Sequence, residues 1–505
     1  MTLLQSEFIT LQTAIESSNG VAPSVGWRQL QPNPDGVQDF YAQIKRLARS
    51  ILSKNLMDEK GDVIDLDAMP KIVHDLNKDL VDQFGGSIFR SAVKFPGGTG
   101  TGRWINASTY GGPQVSAVTG SAYTVSAGGA LPQNVMVYGR GFGTANDGLH
   151  VVGAASSATS IPTTGVVAQA SPPAGATLEV VGVQGASGDI TCTSTQILST
   201  ILDFTTLGLQ PYSWMWVGGG TAASPGALGF ATAGCRGLVR ITAITAHAIT
   251  FDLPSQAFTT DAGAGKTIQL FFGPWMRNVA GDNADYLRTS HAFELVLPGI
   301  GAAGVTDYVY PIGCGLANFE ISCALTDRAV ATMGFVGFDI GDPTASRQAG
   351  ASTPLAPSAT GIMNTVGEMK RLRVTDQSGT VYLVDVESWK LAIKNNIKPY
   401  KKQGTFGAAD LIYGKFQADL SIDGAIAQDD LWKSVRPNTT LRFESLLRNS
   451  DCAILWDIPA CATIGTGPKF PANDLATFSP SFNTFRDPVS NFVAGATVFP
   501  YLPAS

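Results

Sequence analysis

The side chains that could do chemistry are few and scattered. The four histidines are His74, His150, His247 and His291. No two stand at ligand spacing, so no zinc centre is expected. Six cysteines in 505 residues are too sparse for a disulfide framework. Cys314 and Cys323 share a spacing with Cys452 and Cys461, but it is not a metal spacing, and all read as buried thiols. There is no G-x-S-x-G elbow and no Walker A sequence. Gly97–Gly102 has the look of a phosphate loop. No helical pattern follows it, and such a loop needs a helix N-terminus behind it. It reads as a hinge. Asp62, Asp65 and Asp67 are spaced loosely like a calcium loop but lack its glycine and closing glutamate. Asp282 and Asp285 read as turn residues. Lys394, Lys398, Lys401 and Lys402 form a basic cluster, either a solvated loop or a partner for an acidic neighbouring subunit. Lys370, Arg371 and Arg373 read the same way. No catalytic, cofactor-binding or metal residue is assigned, and the chain is not read as an enzyme.

The elements around these residues say more. Charged residues make up 15%, below the usual figure of about 25%. With 44% hydrophobic residues, the composition is not that of a disordered chain. The 56 glycines and 28 prolines favour turns over long helices. Thirty-four basic against 40 acidic residues leave a net charge of −6, which argues against a basic, sequence-independent DNA binder. No signal peptide and no apolar run of membrane-spanning length is read, so folding in a cytoplasm is expected.

The chain repeats itself. Phe293–Pro298, Tyr310-Pro311, Leu316–Phe319 and Gly334–Phe338 resemble Ala453–Pro459, Phe470-Pro471, Leu475–Phe478 and Gly495–Phe499. Pro298 and Pro459 lie 161 residues apart, and Leu316 and Leu475 lie 159 apart. Upstream, Ile88–Val93 resembles Leu441–Leu447 at a larger offset, 354 residues from Phe89 to Phe443. The excess equals an insertion into the first copy alone. The stretch from Pro96 to Leu270 carries only about 11 charged residues and reads as a separate inserted domain.

Periodicity then places the elements. Strands are expected at Ala292–Leu297, Leu316–Cys323, Ala329–Ile340, Thr380–Val386, Lys415–Ile422 and Thr440–Leu447. Helices are expected at Asp67–Phe84 and Gln428–Val435. The insert reads as all-β, with Val135–Val152 resembling Trp214–Ile241. The expected fold is mainly β: two β-sandwich or barrel modules, each with one flanking helix, plus the inserted all-β domain. Residues 1–94 and 286–345 would form module one, 95–285 the insert, 346–366 a linker and 367–505 module two.

The opening Ser6–Ile9, Glu16–Pro23 and Trp27–Asn33 resembles the start of phage tail tube proteins. So does the strand, acidic stretch and helix running from Arg49–Asn55 to Ile88–Lys94, together with Met333-Gly334 and the ending Ala496–Pro500. The likeness covers the two modules without the insert. It implies the tail tube (major tail) protein of a long-tailed, siphovirus-like phage, a structural virion protein assembled in the host cytoplasm. Its sheets would join around a ring, and rings would stack into a hollow tube for DNA ejection. With two modules per chain, three copies would make a trimeric ring of pseudo-sixfold symmetry, with the insert on the exterior. The implied partners are copies of itself, the tape measure, tail terminator and distal tail proteins, and viral DNA in the lumen without specific binding. No cofactor is implied. Three copies would carry about −18, and an electronegative lumen is expected to repel phosphates. Met1–Pro34 and the Asn55–Asp67 loop are expected at inter-ring contacts. The alternatives are a baseplate protein or adhesin, with Trp214, Trp216 or Trp275 stacking on sugars, and a carboxylate-pair hydrolase, which no cluster supports.

Overall fold

A computed structural model describes residues 9–47, 60–98, 101–107, 111–154, 156–221, 224–300, 304–357, 360–382, 385–425, 430–464, 469 and 476–503. The chain is mainly β. Its first part contains β1 (Thr10–Ile15), β2 (Val37–Gln38), a hairpin of β3 (Gln43–Leu47) and β4 (Asp62–Asp67), β5 (Lys71–Asp75) and helix α1 (Lys78–Phe89).

The helix begins later than expected. Ile72, Val73, Leu76, Leu80 and Val81 fit a helical stripe, but Lys71–Asp75 is a strand paired with Val330–Val336 along residues 330–334. Branched residues gain most from that pairing, which a local pattern does not reveal. The helix starts where Asn77 caps it, the Asn77 side chain accepting the Leu80 N–H at 2.9 Å. It ends at Arg90, whose φ of 52° lies in the left-handed region. Ile88 and Phe89 therefore close a helix and are not a strand.

A separate sheet follows, built from β6 (Val135–Arg140), β7 (Gly148–Val151), β8 (Thr177–Gln184), β9 (Trp214–Val217), β10 (Gly237–Thr245), β11 (Ala248–Asp252) and β12 (Gln269–Phe271). Its order is β7-β6-β8-β12-β9-β10-β11, so the two stretches that resemble each other each supply a paired couple of strands. It encloses its own core, around Val137, Leu178, Val180, Met215, Val239 and Leu270. The next strand, β13 (Trp275–Arg277), belongs to the main body and pairs with Gly495–Thr497. The insert's sheet thus ends before residue 285.

The main body resumes with β14 (Ser290–Leu297), β15 (Cys314–Cys323) and β16 (Val330–Val336). After them come β17 (Met369–Asp376), β18 (Asp385–Lys394), a hairpin of β19 (Ile397–Tyr400) and β20 (Asp410–Tyr413), and β21 (Gln417–Ala425). The chain closes with the one-turn α2 (Asp430–Lys433), β22 (Leu441–Arg448), β23 (Ala453–Ile464), β24 (Ser481–Thr484) and β25 (Gly495–Phe499).

In the first half the strands pair in the order β1-β14-β15-β16-β5-β2. In the second half the order is β17-β22-β23-β24-β21-β18. Each half carries its hairpin between the last two strands of that order, and its helix before β14 or β22. The sequence anchors set Phe293–Pro298 against Ala453–Pro459, whereas by pairing order β14 stands where β22 does. The anchors therefore slip by one strand, because successive sandwich strands share the same apolar alternation.

The stretch 346–366 is strapped to the first half. Arg347 pairs with the buried Glu294 at 2.7 Å, and the Met363 N–H donates to the Leu76 carbonyl at 2.9 Å. Of the N-terminal arm, Thr10–Ile15 lies in the sheet along β14 and Trp27 is buried, so residues 10–15 and Trp27 are body and not a free arm. Residues 1–8 and 55–59 lie outside the described residues; the rest of the 55–67 loop is described, and Asp62–Asp67 of it is β4.

Candidate assembly surfaces

The two halves meet through backbone. Strand β15 pairs with β16 on one side and with β18 on the other, from Asn318↔Lys394 to Cys323↔Trp389. One continuous ladder results, β2-β5-β16-β15-β18-β21-β24-β23. Inward positions such as Phe319, Ile321, Leu391, Ile393, Leu420 and Ile422 fill the shared core. Between the pairs, outward positions include Lys71, Glu320, Lys390, Lys394, Asp419 and Asp423, three cations and three carboxylates. Lys390 bonds Glu320 and Lys394 bonds Asp419, each at 2.7 Å.

The ladder has two open ends among the described residues. At one, Val37–Gln38 pairs only with β5. At the other, Ala462–Ile464 pairs only with β24. Unpaired edges of this kind favour a further strand.

Side chains reinforce the junction. The β19–β20 hairpin lays Ile397 and Leu411 against Ala317 and Val336 of the first half, with Phe338 and Tyr413 beside them. Asn395, next to the hairpin, donates to the Ser87 carbonyl at 3.1 Å and the Leu316 carbonyl at 2.9 Å. Those carbonyls belong to the last turn of α1 and to the start of β15, so one amide ties three elements together. Lys401 bonds Asp65 at 2.5 Å and Asp67 at 2.6 Å. Two of the three carboxylates spaced loosely like a calcium loop, Asp65 and Asp67, are thus partners of one lysine of the basic cluster, within one chain.

A second junction holds the insert. At α1, Lys78 lies 2.6 Å from Asp82 and 3.0 Å from Glu179 of β8, while Arg103 lies 2.6 Å from Asp82 and 2.5 Å from Glu179. All four side chains are at most 8% exposed. Burial by itself would raise the Glu179 carboxyl, but Lys78 and Arg103 outweigh it and hold the group down to about 2. On its other side the insert packs Met136, Val181, Trp214 and Phe271 onto Leu446, Leu455 and Phe499 of the second half. Arg371 donates to the Leu253 carbonyl and to Glu444, and Arg373 to the Pro254 and Ser255 carbonyls. The basic residues near 370 therefore bind the insert. The Trp214 indole donates to Asp457 at 3.0 Å. Burial pushes the Asp457 carboxyl up to about 6, with Arg240 and the indole opposing in part.

The remaining candidates are structural. His291 is fully buried, 2.7 Å from the Ser87 hydroxyl, and burial holds it neutral by lowering it to about 3. All six cysteines are buried and free. Trp214 and Trp275 are buried, and Trp216 is half-buried beneath the Arg448 guanidinium, so none of the three is free to stack on a sugar. Gly97 and Gly98 have φ of 112° and 80°, as a sharp hinge into the insert requires. Among the described residues, no group of three or more His, Cys, Asp or Glu side chains could hold a metal ion, and no helix is long and apolar enough to cross a membrane. Sequence reasoning missed the Lys78–Asp82–Arg103–Glu179 cluster. Lys78 and Asp82, four residues apart near a helix start, were its only local sign.

The arrangement defines a mainly β protein whose buried polar clusters hold sheets and domains together. The sequence model described as phage tail tube protein matches residues 75–474, and the chain belongs to that family. The family is structural, and it makes the chain a component of the virion tail that assembles with copies of itself and with other tail proteins. No curated protein matches the chain significantly.

Proposed function

We propose that this chain polymerises into the hollow tail tube of a siphovirus-like phage, through which the genome passes during ejection. Each copy supplies two wall modules, residues 1–94 with 286–345 and residues 367–505, joined by 346–366. Three copies then close a ring of pseudo-sixfold symmetry. One observation carries the reading: the two halves repeat one pairing order, and β15 of the first already hydrogen-bonds β18 of the second. Repeating that joint between Ala462–Ile464 of one copy and Val37–Gln38 of the next satisfies both open edges. Such a head-to-tail contact closes when the rotation allows.

The insert, residues 95–285, sits on the tube exterior in this reading. Supporting this, it packs on β22, β23 and β25, while the side chains of Glu320, Lys390, Lys394 and Asp419 on the outward face of the ladder are exposed. With that face as the lumen, cations and carboxylates are interspersed along the wall, and Lys390 and Lys394 are each bonded to a carboxylate. Lysines already bonded to carboxylates offer phosphates little attraction, so DNA slides without specific contacts. Tape measure, terminator and distal tail proteins are the further partners of this reading, with assembly in the host cytoplasm.

The test is negative-stain microscopy of the purified chain. Hollow filaments of uniform width are expected. Discrete particles at every concentration and salt would move the protein to the baseplate or adhesin class.

A further inference from the structure

The two hairpins occupy the same place in the two halves but differ in what covers them. The β19–β20 hairpin is seated on the first half, with Leu411 1% exposed and Ile397 7% exposed. The approach is close enough that a Cβ on Gly315 would lie 2.8 Å from Leu411. The described residues of the β3–β4 hairpin, 43–47 and 62–67, are seated less fully. Every residue of β3 is exposed, and Ile44, Leu47, Val63 and Ile64 are 52%, 63%, 40% and 44% exposed. Its Asp65–Asp67 end is held by Lys401, with Leu66 against Gly407.

The seat used by the β19–β20 hairpin also has a counterpart. Beside it, the Phe338 N–H donates to the Ile312 carbonyl at 2.9 Å, just past β16. Just past β24, the Phe485 N–H donates to the Ala460 carbonyl at 3.1 Å. The first site is filled by the hairpin, whose Ala408 N–H reaches the Phe338 carbonyl at 3.2 Å. In the segments that follow the two partners in sequence, Ile464 is 57% exposed and Val489 is 64% exposed.

We propose that the β3–β4 hairpin docks on the Ile464–Phe485–Val489 surface of a second copy of this chain, as β19–β20 docks on the first half of its own. The occupant is fixed by the repeat: one chain has a free hairpin at one end and a free seat at the other. This rests on the head-to-tail ring reading and adds the apolar surface that steers it. Exposed apolar side chains flanking an open strand edge are a hazard for a lone chain and are expected at an interface.

The test uses two full-length variants. Ile44→Asp with Leu47→Asp disables the hairpin, and Ile464→Asp with Val489→Asp disables the seat. All four positions are exposed, so each chain is expected to keep the wild-type unfolding midpoint, and serine replaces aspartate in any that does not. In sedimentation velocity, each variant alone should run as a single copy. Their equal mixture should form two-copy particles and nothing larger, because one good hairpin meets one good seat. Wild-type-sized assemblies from either variant alone would overturn the proposal while leaving the tube reading intact. A mixture that stays single-copy would also overturn it. A wild-type chain that never assembles would instead sink the tube reading on which the proposal rests.

Discussion

Glu179 is the most exacting position at which to test how the insert is held. It is fully buried between Lys78 and Arg103, with Asp82 completing a cluster of two cations and two carboxylates. Its carboxyl is held at about 2 against an ordinary 4.5. That depression corresponds to roughly 3 kcal/mol of preference for the charged form. Glu179→Gln keeps the shape but leaves two buried cations facing one carboxylate. Breaking a buried pair in this way costs about 3–5 kcal/mol. The assay is urea unfolding at pH 7, with limited proteolysis to see whether the insert is released first. The double variant Lys78→Met with Glu179→Gln leaves Arg103 and Asp82 as a matched pair, and should recover at least half of the loss. The sign with pH follows from the depressed value: the stabilisation is complete above pH 4.5 and is lost as pH falls toward 2. A loss below about 1 kcal/mol for Glu179→Gln would refute the claim that these charges anchor the insert.

Three further outcomes follow from the same contacts. Asp457, raised to about 6, holds a proton in the folded chain after the unfolded chain has released it, so stability falls as pH rises from about 4 to 6; Asp457→Asn should remove that slope and stabilise the protein by about 1–3 kcal/mol at pH 7, read from unfolding midpoints at several pH values. Asn395→Ala should cost about 1–3 kcal/mol by leaving the Ser87 and Leu316 carbonyls without their donor, measured by denaturant unfolding. The six buried cysteines should resist a thiol reagent in the native protein and react together on unfolding, since burial raises Cys192, Cys323 and Cys452 to about 12.

What the sequence revealed depended on whether the signal was local. Strands such as Cys314–Cys323 and Leu441–Arg448 alternate along one face, and their expected positions fall within a residue or two of the observed bounds. The low charge between residues 96 and 270 marked a stretch with its own core. The helix start was misplaced because Ile72 and Val73 suit a helical stripe and a strand alike, and the deciding partner is some 260 residues away. The two halves share one strand-pairing order, and the sequence anchors stand one strand out of step with it, since β14 and β22 are apolar strands like their neighbours. The roles of Lys401, Arg371 and Trp214 were hidden for a different reason. Their partners Asp65, Glu444 and Asp457 come from distant segments, and a lone cation or indole reads the same whether solvated or locked.

The central claim is that one chain supplies two wall modules. End-on averaging of tubes by electron cryomicroscopy tests it most directly. Six equivalent inner lobes with three outer projections are expected, each projection being one insert. Six inner lobes with six identical projections would contradict it, because every wall module would then belong to a separate chain.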